Sequence, residues 1–413
     1  MKAIRSLLDR LYEAPALQRY KPIIGAADAI LYGTDETTRG APHVVDNIDI
    51  KRYMSFVILA LLPAVLASVC FFGFRVIAII MVSYMAGGAV EVAFAIIRKH
   101  DIHEGFLITG LIFPLVLPPT TPLWVVAVGV VFGTMFGKEM FGGTGRNIFN
   151  PALVGRLFIT IAFPAIMTMN WQKPFVSGPE AITSATPLTT YKSTAKASKV
   201  NPDVVEFEKD EANKQVLFTS ASAVKRCTQN GDSRFDGVKI YCVGEPAYNK
   251  AGKHKRIEDD NLVRLFSYGD LLVGKEPGSM GETCRIVIVL GGIFLMLARV
   301  SNWRIPVSYI GTVFVLALVG HRFLPHDIAP PVFQMLTGGL MFGAMFMATD
   351  PITSPFTKAG KYCFGISCGV LTVLIRSFTG YVEGVMFSIV IMNAFTPLID
   401  QIVLMFKYRP VKT

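Results

Sequence analysis

Charged side chains are scarce in this sequence. Asp, Glu, Lys and Arg make up 17% of the 413 residues, whereas 52% are hydrophobic. The mean hydropathy of +0.47 is well above that of a soluble domain. This composition excludes a soluble globular protein and predicts a chain embedded in a membrane.

Cysteine and histidine are also few, with six of each. They form no cluster with the spacing of zinc or haem ligands, so no metal site is predicted. Cys227 and Cys242 lie in one polar segment, where either a disulfide or two unpaired thiols fits. No glycine-rich loop follows a strand as in a dinucleotide fingerprint, so the chain is not expected to bind NADH itself.

Hydrophobic segments of the kind that cross a membrane occur ten times. They lie near 55–74, 76–97, 105–118, 122–138, 149–169, 285–299, 304–321, 331–349, 362–378 and 381–406. The third is short and broken by proline, and the region around Pro351 and Pro355 is interrupted in the same way. We therefore expect discontinuous helices that line a site, because the backbone groups freed by a break need partners.

A long polar loop separates two sets of five segments. This predicts an all-α polytopic membrane protein of about ten transmembrane helices, in two inverted five-helix halves with broken helices. The stretch "FGTMFGKEM" at 132–140 resembles "FGAMFMATD" at 342–350, which we interpret as a trace of the repeat. The predicted divisions are an N-terminal extension 1–53, a first half 54–169, a loop 170–284 with an insertion at 190–262, a second half 285–407 and a tail 408–413.

Basic residues in the short loops predict the orientation. If the N-terminus is cytoplasmic, most of these residues fall on the cytoplasmic side, and only Arg75, Arg322 and Arg376 face out. Both termini are then cytoplasmic and the 170–284 loop is external. The net charge of +10 is therefore explained by topology, and nucleic acid is not an expected partner. Within the insertion, "RFDGVKIYCVG" predicts a small hairpin.

Three groups of polar residues stand out against this apolar background. The first is "FGGTGRNIFNPALVGR" at 141–156, where glycines permit close backbone approach and Arg146, Asn147 and Asn150 offer hydrogen-bond donors. The two asparagines are three positions apart and are predicted to share a helical face. Amides in a membrane need a partner, such as a broken helix end, an ion or a polar heterocycle.

The second group comprises the carboxylates Glu91, Asp350, Glu383 and Asp400. Ionised carboxylates at membrane depth are costly, so each is a functional candidate. The alternative is structural, with Asp350 capping a half-helix and Glu383 and Asp400 at the interface. An ion pathway is considered for Glu91 and Asp350 first and for Glu383 last.

The third group lies in the external loop. "EAITSATPLTTYK" at 180–192 contains Ser184 and Thr186 among many hydroxyls, as in a Ser/Thr-rich loop, a helix N-cap or a modified segment. "EPGSMGET" at 276–283 contains Ser279 and Glu282, a pattern typical of a helix N-terminus and of a phosphate site near it.

Taken in this order, several segments resemble the NqrB family, a membrane component of the sodium-pumping NADH:quinone oxidoreductase, and its relative RnfD of the Rnf complex. They are "HEGFLITGLIFPLVLPPTTPLW", "GKEMFGGTGRNIFNPALVGR", "TSATPL", "PGSMGET" and "FMATDPITSPFT". The resemblance covers nearly the whole chain except 190–262. The long basic N-terminus favours the NqrB family over the Rnf component.

This resemblance implies that a flavin transferase attaches FMN through its phosphate to the last Thr of a D-x-x-[ST]-G-A-T motif. That position is Thr186, although Glu180 stands in place of Asp and Ser184 in place of Gly. It also implies a non-covalent riboflavin near Asn147 and Asn150. The family's quinone and inhibitor region corresponds to the N-terminal segment and to Gly87 and Gly88.

The implied activity is electron relay from covalent FMN through riboflavin to ubiquinone or menaquinone, coupled to Na+ translocation. Glu91, Asp350 and Asp400 match carboxylates of the family's sodium path. The implied partners are a subunit carrying the NADH site, FAD and an iron–sulfur cluster, a second covalent-FMN subunit and small membrane subunits, in the inner membrane of a bacterium. An Rnf-type subunit and a non-redox small-solute channel or transporter are the alternatives.

Overall fold

The computed structural model describes residues 50–98, 105–169, 171–175, 186–189, 191–192, 268–324, 327–381 and 383–408, together with four short strands between 215 and 255. The predicted N-terminal extension up to residue 49, Glu180, Ser184 and Cys227 lie outside these ranges. The question of a disulfide therefore stays a prediction, as do the proposed domain limits in the external loop.

The first half of the chain forms five helices and a short sixth one, because each hydrophobic segment is bounded by Gly, Pro or charged residues. They are α1 (Ile50–Phe72), α2 (Arg75–Arg98), α3 (Gly105–Leu115), α4 (Leu123–Gly137), α5 (Pro151–Ala162) and α6 (Pro164–Met169). The predicted segment 149–169 is thus broken before Pro164, which lacks the N–H that would continue α5.

The second half is preceded by the short helix α7 (Tyr268–Val273). Its helices are α8 (Arg285–Leu297), α9 (Arg304–Phe323), α10 (Pro331–Leu336), α11 (Leu340–Phe342), α12 (Lys358–Phe378) and α13 (Val385–Lys407). A π-helical turn, Gly343–Met347, follows α11 directly.

Two interruptions divide this second half. The predicted one around Pro351 and Pro355 is confirmed, since the π-helical turn ends at Met347 and α12 begins only at Lys358. The other was not predicted. It separates α10 from α11 at Gly338, which adopts a left-handed φ of 64°.

All ten predicted segments are helical, but they differ in length. Among the described residues, six helices are long and apolar enough to span a membrane: Tyr53–Phe72, Arg75–Arg98, Leu123–Phe141, Arg304–Phe323, Lys358–Phe378 and Val385–Lys407. Three shorter apolar helices are α3, α5 and α8. The chain is therefore a helical, multi-pass membrane protein in which short and broken helices lie among full-length ones.

The two halves repeat the same helix contacts. In the first half α4 packs against α2 and α5, and in the second α12 packs against α9 and α13. Likewise α2 contacts α3, as α9 contacts α10. The short sequence match between 132–140 and 342–350 is not part of this repeat, because it pairs α4 with the π-helical turn. The interpretation of this match as a trace of the repeat was therefore wrong, because it does not align corresponding helices of the two halves.

The motif "EPGSMGET" is buried where it contacts both broken segments. The Met280 N–H donates to Leu117 O at 3.1 Å, and Ser68 Oγ donates to Met280 O at 2.6 Å. A Cβ at Gly281 would lie 2.7 Å from the Leu115 side chain and 3.2 Å from Phe342. Only glycine fits there, so the turn fixes the two breaks relative to each other.

The insertion contributes two small sheets. Strand β1 (Gln215–Phe218) pairs in parallel with β2 (Lys239–Cys242), and β3 (Ala247–Tyr248) pairs with β4 (His254–Lys255) in antiparallel fashion. The prediction of a hairpin around "RFDGVKIYCVG" was wrong, because the partner of this segment lies more than twenty residues earlier in the chain.

Candidate functional site

A cavity of about 520 Å³, here called the outer cavity, contains Thr186 in its wall. The wall combines two aromatic residues, two methionines, three threonines and an ion pair. Its lining includes Trp171, Tyr381, Met167, Met386, Thr160, Thr186, Thr189, Arg156 and Glu383. The predicted attachment residue therefore borders a space suited to a flat, mostly apolar ring with a polar edge.

Thr186 is positioned by the helical turn that begins after it. The hydroxyls of Thr186 and Thr189 lie 2.8 Å apart, and the Thr189 N–H donates to Thr186 Oγ1 at 3.3 Å. Lys192 Nζ donates to Tyr381 O at 2.6 Å, which ties this segment to the connection between α12 and α13. The hydroxyl of Thr186 thus has a fixed direction at the mouth of the outer cavity.

The charged part of the outer cavity is an ion pair between Arg156, on α5, and Glu383, just before α13. Their side chains are only 5% and 12% exposed. Glu383 was the least favoured of the predicted carboxylates, and Arg156 was not predicted. The pair joins residues 227 positions apart, so no local pattern could have revealed it.

A second cavity, here called the inner cavity, is lined by both predicted asparagines and one of the predicted carboxylates. Asn147 and Asn150 line it from the first half, and Asp350 lines it from the second. Tyr53 and Lys138 also contribute to the wall. The structure therefore brings the "GGTGRNIFNP" and "ATDPIT" motifs to one site.

The two asparagines do not share a helical face, which corrects the sequence prediction. Asn150 is the N-cap of α5 and accepts the Ala152 N–H at 3.1 Å, with Pro151 in the first helical position. Asn147 lies in the preceding loop, where its Nδ2 donates to Phe149 O at 3.1 Å. They converge on the cavity because the loop turns before α5. Each amide retains N–H groups that these bonds do not use.

Arg146, Ser279 and Glu282 lie outside the walls of both cavities. Arg146 is exposed to solvent. Ser279 and Glu282 are buried and form a capping box, in which Ser279 N–H donates to Glu282 Oε1 at 2.7 Å. The Glu282 carboxylate thus occupies the helix end at which the sequence predicted a phosphate.

The glycine pair on α2 is covered by an aromatic ring from the chain itself. A Cβ at Gly87 would lie 2.5 Å from the Phe106 ring and 2.9 Å from Val130, whereas one at Gly88 would lie 3.5 Å from Phe106. The Phe106 ring therefore occupies the space beside these glycines in this structure. Tyr84 packs edge-on against Phe106, with centroids 6.1 Å apart.

Glu91, on the same helix as this glycine pair, has a buried partner that sequence analysis missed. Lys138 Nζ lies 2.6 and 2.7 Å from its two carboxylate oxygens, and both side chains are 3% exposed. Glu139, 1% exposed, lies beside this pair at 3.9 Å from Lys138 Nζ. The adjacent charged residues Lys138 and Glu139 in "GKEM" were the sequence signal for this buried pair. Their inward direction depends on the 3₁₀ turn Glu139–Phe141.

The other two predicted sodium-path carboxylates stabilise backbone breaks. Asp350 accepts the Ile352 N–H and the Thr353 hydroxyl, each at 3.2 Å, in a turn and not at the start of a half-helix as the structural alternative proposed. Asp400, on α13, accepts the N–H groups of Phe356 at 3.0 Å and Thr357 at 3.1 Å, and the Thr357 hydroxyl. Asp350 faces the inner cavity, whereas Asp400 holds the start of α12.

The fold defines a multi-pass helical membrane protein, and polar residues from distant parts of the chain line its two cavities. The chain belongs to the NQR2, RnfD, RnfE family, whose model matches residues 37–409. The match includes both cavities and both halves.

Similar proteins carry a consistent name. The B-subunit of the Na(+)-translocating NADH-quinone reductase of Chlamydia felis is 31% identical, covering 95% of this chain and 96% of its own length. The protein of the same name from Klebsiella pneumoniae is 31% identical, covering 94% and 92%. The one from Chlamydia pneumoniae is 30% identical and covers 99% of both chains.

Proposed function

We propose that this chain is the flavin-carrying membrane subunit of a sodium-translocating NADH:quinone oxidoreductase. FMN is attached to Thr186 in the outer cavity and riboflavin is held in the inner cavity. The observation that carries the proposal is that helix α5 lines both cavities, with Asn150 in one and Arg156 in the other. The names of the full-length relatives support the complex to which the subunit belongs.

The chemistry of the residues that line the outer cavity suits the FMN ring. An isoalloxazine is flat and apolar over most of its area, with a polar edge of carbonyl and imide groups. Trp171 and Tyr381 offer aromatic surfaces, and Met167 and Met386 offer polarisable ones. The phosphate end would be fixed by the Thr186 hydroxyl, so the ring cannot leave the cavity.

The inner cavity fits a non-covalent flavin through its amides. Asn147 and Asn150 present N–H groups to one side of the cavity, and Asp350 presents a carboxylate from the opposite half. An Asn amide donates and accepts in the pattern that an imide edge requires. The apolar part of the wall includes Met54, Val57 and Phe346, which would exclude water from the ring.

Bound there, the flavins would supply the one- and two-electron chemistry that relays electrons to a membrane quinone. The chain would hold the two sites at a fixed separation on α5. Asp350 would couple this chemistry to sodium, because a carboxylate beside a group whose charge changes binds a cation with an affinity that depends on that charge. Glu91 and Asp400 remain proposed members of the sodium path.

The partners follow from the same proposal. Electrons would come from the subunit that carries the NADH site, FAD and the iron–sulfur cluster, through a second covalent-FMN subunit and small membrane subunits. A flavin transferase would act on Thr186 from outside the bacterial inner membrane. Co-purification of an NADH-oxidising partner favours this assignment, whereas a ferredoxin-linked partner would assign the chain to an Rnf complex of the same family.

The test is in-gel flavin fluorescence of the denatured chain, expressed with its transferase, beside Thr186→Val and Thr190→Val variants. We expect fluorescence in the wild type and in Thr190→Val, and none in Thr186→Val. A dark wild-type band would contradict the covalent site and favour a non-redox transporter. Fluorescence that persists in Thr186→Val would place the attachment elsewhere.

A further inference from the structure

The Arg156–Glu383 pair has no evident structural need for its charges. Its side chains are buried, and a buried ion pair contributes about as much stability as a well-packed apolar pair, or less. Yet both residues lie in the wall of the outer cavity. Charges kept at such a cost in a cavity wall are characteristic of a ligand-binding group.

The pair also has unused hydrogen-bonding capacity. A guanidinium carries five N–H donors, and within the described part of the chain Arg156 Nε has no hydrogen-bond partner. The bond to Glu383 uses one carboxylate oxygen, Oε2. The pair therefore presents donors and an acceptor side by side, which is the complement of a carbonyl–imide–carbonyl edge.

The residues around Arg156 hold its side chain in place. Helix α5 packs closely against α4: a Cβ at Gly133 on α4 would lie only 2.5 Å from Pro151 O on α5. Glu383, just before α13, forms an ion pair with the guanidinium. Gly339 is also close to it, because a Cβ at that position would lie 3.9 Å from Arg156 Nη1. The charge thus remains at one end of the cavity.

We propose that the Arg156–Glu383 pair binds the imide edge of the flavin in the outer cavity, and that the Arg156 guanidinium raises its reduction potential. This inference rests on the proposed function of the outer cavity. Reduction increases the negative charge at the N1–C2 carbonyl part of a flavin, and a fixed cation beside it stabilises that charge in a low dielectric. Arg156 acts through electrostatics on the bound group, and Glu383 acts by orienting Arg156.

The experiment is a spectroelectrochemical titration of the purified complex, with in-gel fluorescence as the measure of flavin content. The relevant midpoint potential is that of the component absent from Thr186→Val. Arg156→Met is expected to retain fluorescence and to lower this midpoint potential, while Arg156→Lys, which keeps the charge, shows a smaller decrease. Full fluorescence with an unchanged midpoint potential in Arg156→Met would overturn the inference.

A second variant keeps the test valid if Arg156→Met does not fold, since that change leaves Glu383 buried without its cation. Glu383→Gln preserves volume and a hydrogen-bond acceptor but removes the opposing negative charge. The midpoint potential is then expected to rise, which is opposite to the effect of Arg156→Met. A fall or no change in Glu383→Gln would refute the proposed arrangement. Loss of fluorescence in the wild type would instead refute the proposed function itself.

Discussion

Asn150, the N-cap of helix α5, and Arg156, on that helix, lie six positions apart, and each lines a different cavity. At the rise of an α-helix this is a separation of about 9 Å along the axis. The side-chain amide of Asn393, on α13, lies 3.3 Å from the backbone nitrogen of Asn150. One helix, fixed by both halves, therefore sets the distance between the two proposed flavins.

The packing of α5 against α4 should control both cavities together. A Cβ at Gly155 would lie 2.6 Å from Gly129 O and 2.9 Å from the Phe113 ring. Gly155→Ala must therefore shift α5, and we expect a loss of stability of about 1–3 kcal/mol with reduced covalent and non-covalent flavin. In-gel fluorescence and extraction of free flavin measure the two contents separately.

The matched control for this prediction is Gly311→Ala on α9, where a Cβ would meet nothing within 4 Å. This variant should keep both flavin contents and the thermal stability of the wild type. If Gly155→Ala loses one flavin and fully retains the other, α5 does not couple the two sites.

The Glu91–Lys138 pair gives a prediction about stability. Removing one member leaves a buried charge without its partner, so Glu91→Gln or Lys138→Met should each destabilise the protein by about 3–5 kcal/mol. The double variant should be more stable than the sum of the single changes predicts. Thermal unfolding in detergent provides the double-mutant cycle, and strict additivity would show that the pair contributes no coupling energy.

Sodium transport provides a separate readout of the same pair. If Glu91 belongs to the sodium path, the apparent sodium affinity of turnover should fall in Glu91→Gln even in the double variant with Lys138→Met. An unchanged sodium dependence in that double variant would assign Glu91 a purely structural role.

Gly87 and Gly88 are adjacent in the chain, but the space available for a side chain differs between them. Gly87→Ala places a methyl group against the Phe106 ring, whereas Gly88→Ala makes only ordinary contact with it. We expect Gly87→Ala to raise the KM for quinone markedly and Gly88→Ala to have a small effect, because only the first displaces Phe106. The comparison of quinone KM values in the assembled complex measures this, and equal effects of both changes would exclude a role for Phe106.

Asp400 allows a structural role to be separated from an ionic one. Its carboxylate receives two backbone N–H groups at the start of α12, and its side chain is 3% exposed. Asp400→Asn retains an acceptor and should fold, whereas Asp400→Leu should lose about 1–3 kcal/mol because those donors lose their partner. Sodium-dependent turnover of the folded Asp400→Asn variant then reports on the charge alone. Normal sodium affinity there would remove Asp400 from the proposed path.

The hydrophobic segments were predictable because membrane helices satisfy their own backbone and need only apolar length. The break around Pro351 and Pro355 was correctly expected, since proline removes backbone donors at that point. The break at Gly338 was not, because membrane helices tolerate glycine and its presence alone does not predict an interruption. Nor was the register of the repeat, because a nine-residue match in Phe- and Gly-rich sequence carries little information about three-dimensional position.

Sequence patterns alone determined that this chain is a helical membrane protein and pointed to Asn147 and Asn150 as candidates, whereas Thr186 was selected through the family resemblance. Tertiary structure decided which polar groups meet. Glu91 is paired with a residue 47 positions away and Arg156 with one 227 positions away. Such pairs leave no local signal, because their energy comes from removing two charges from water together, and only the packing of the helices determines which two charges are brought close.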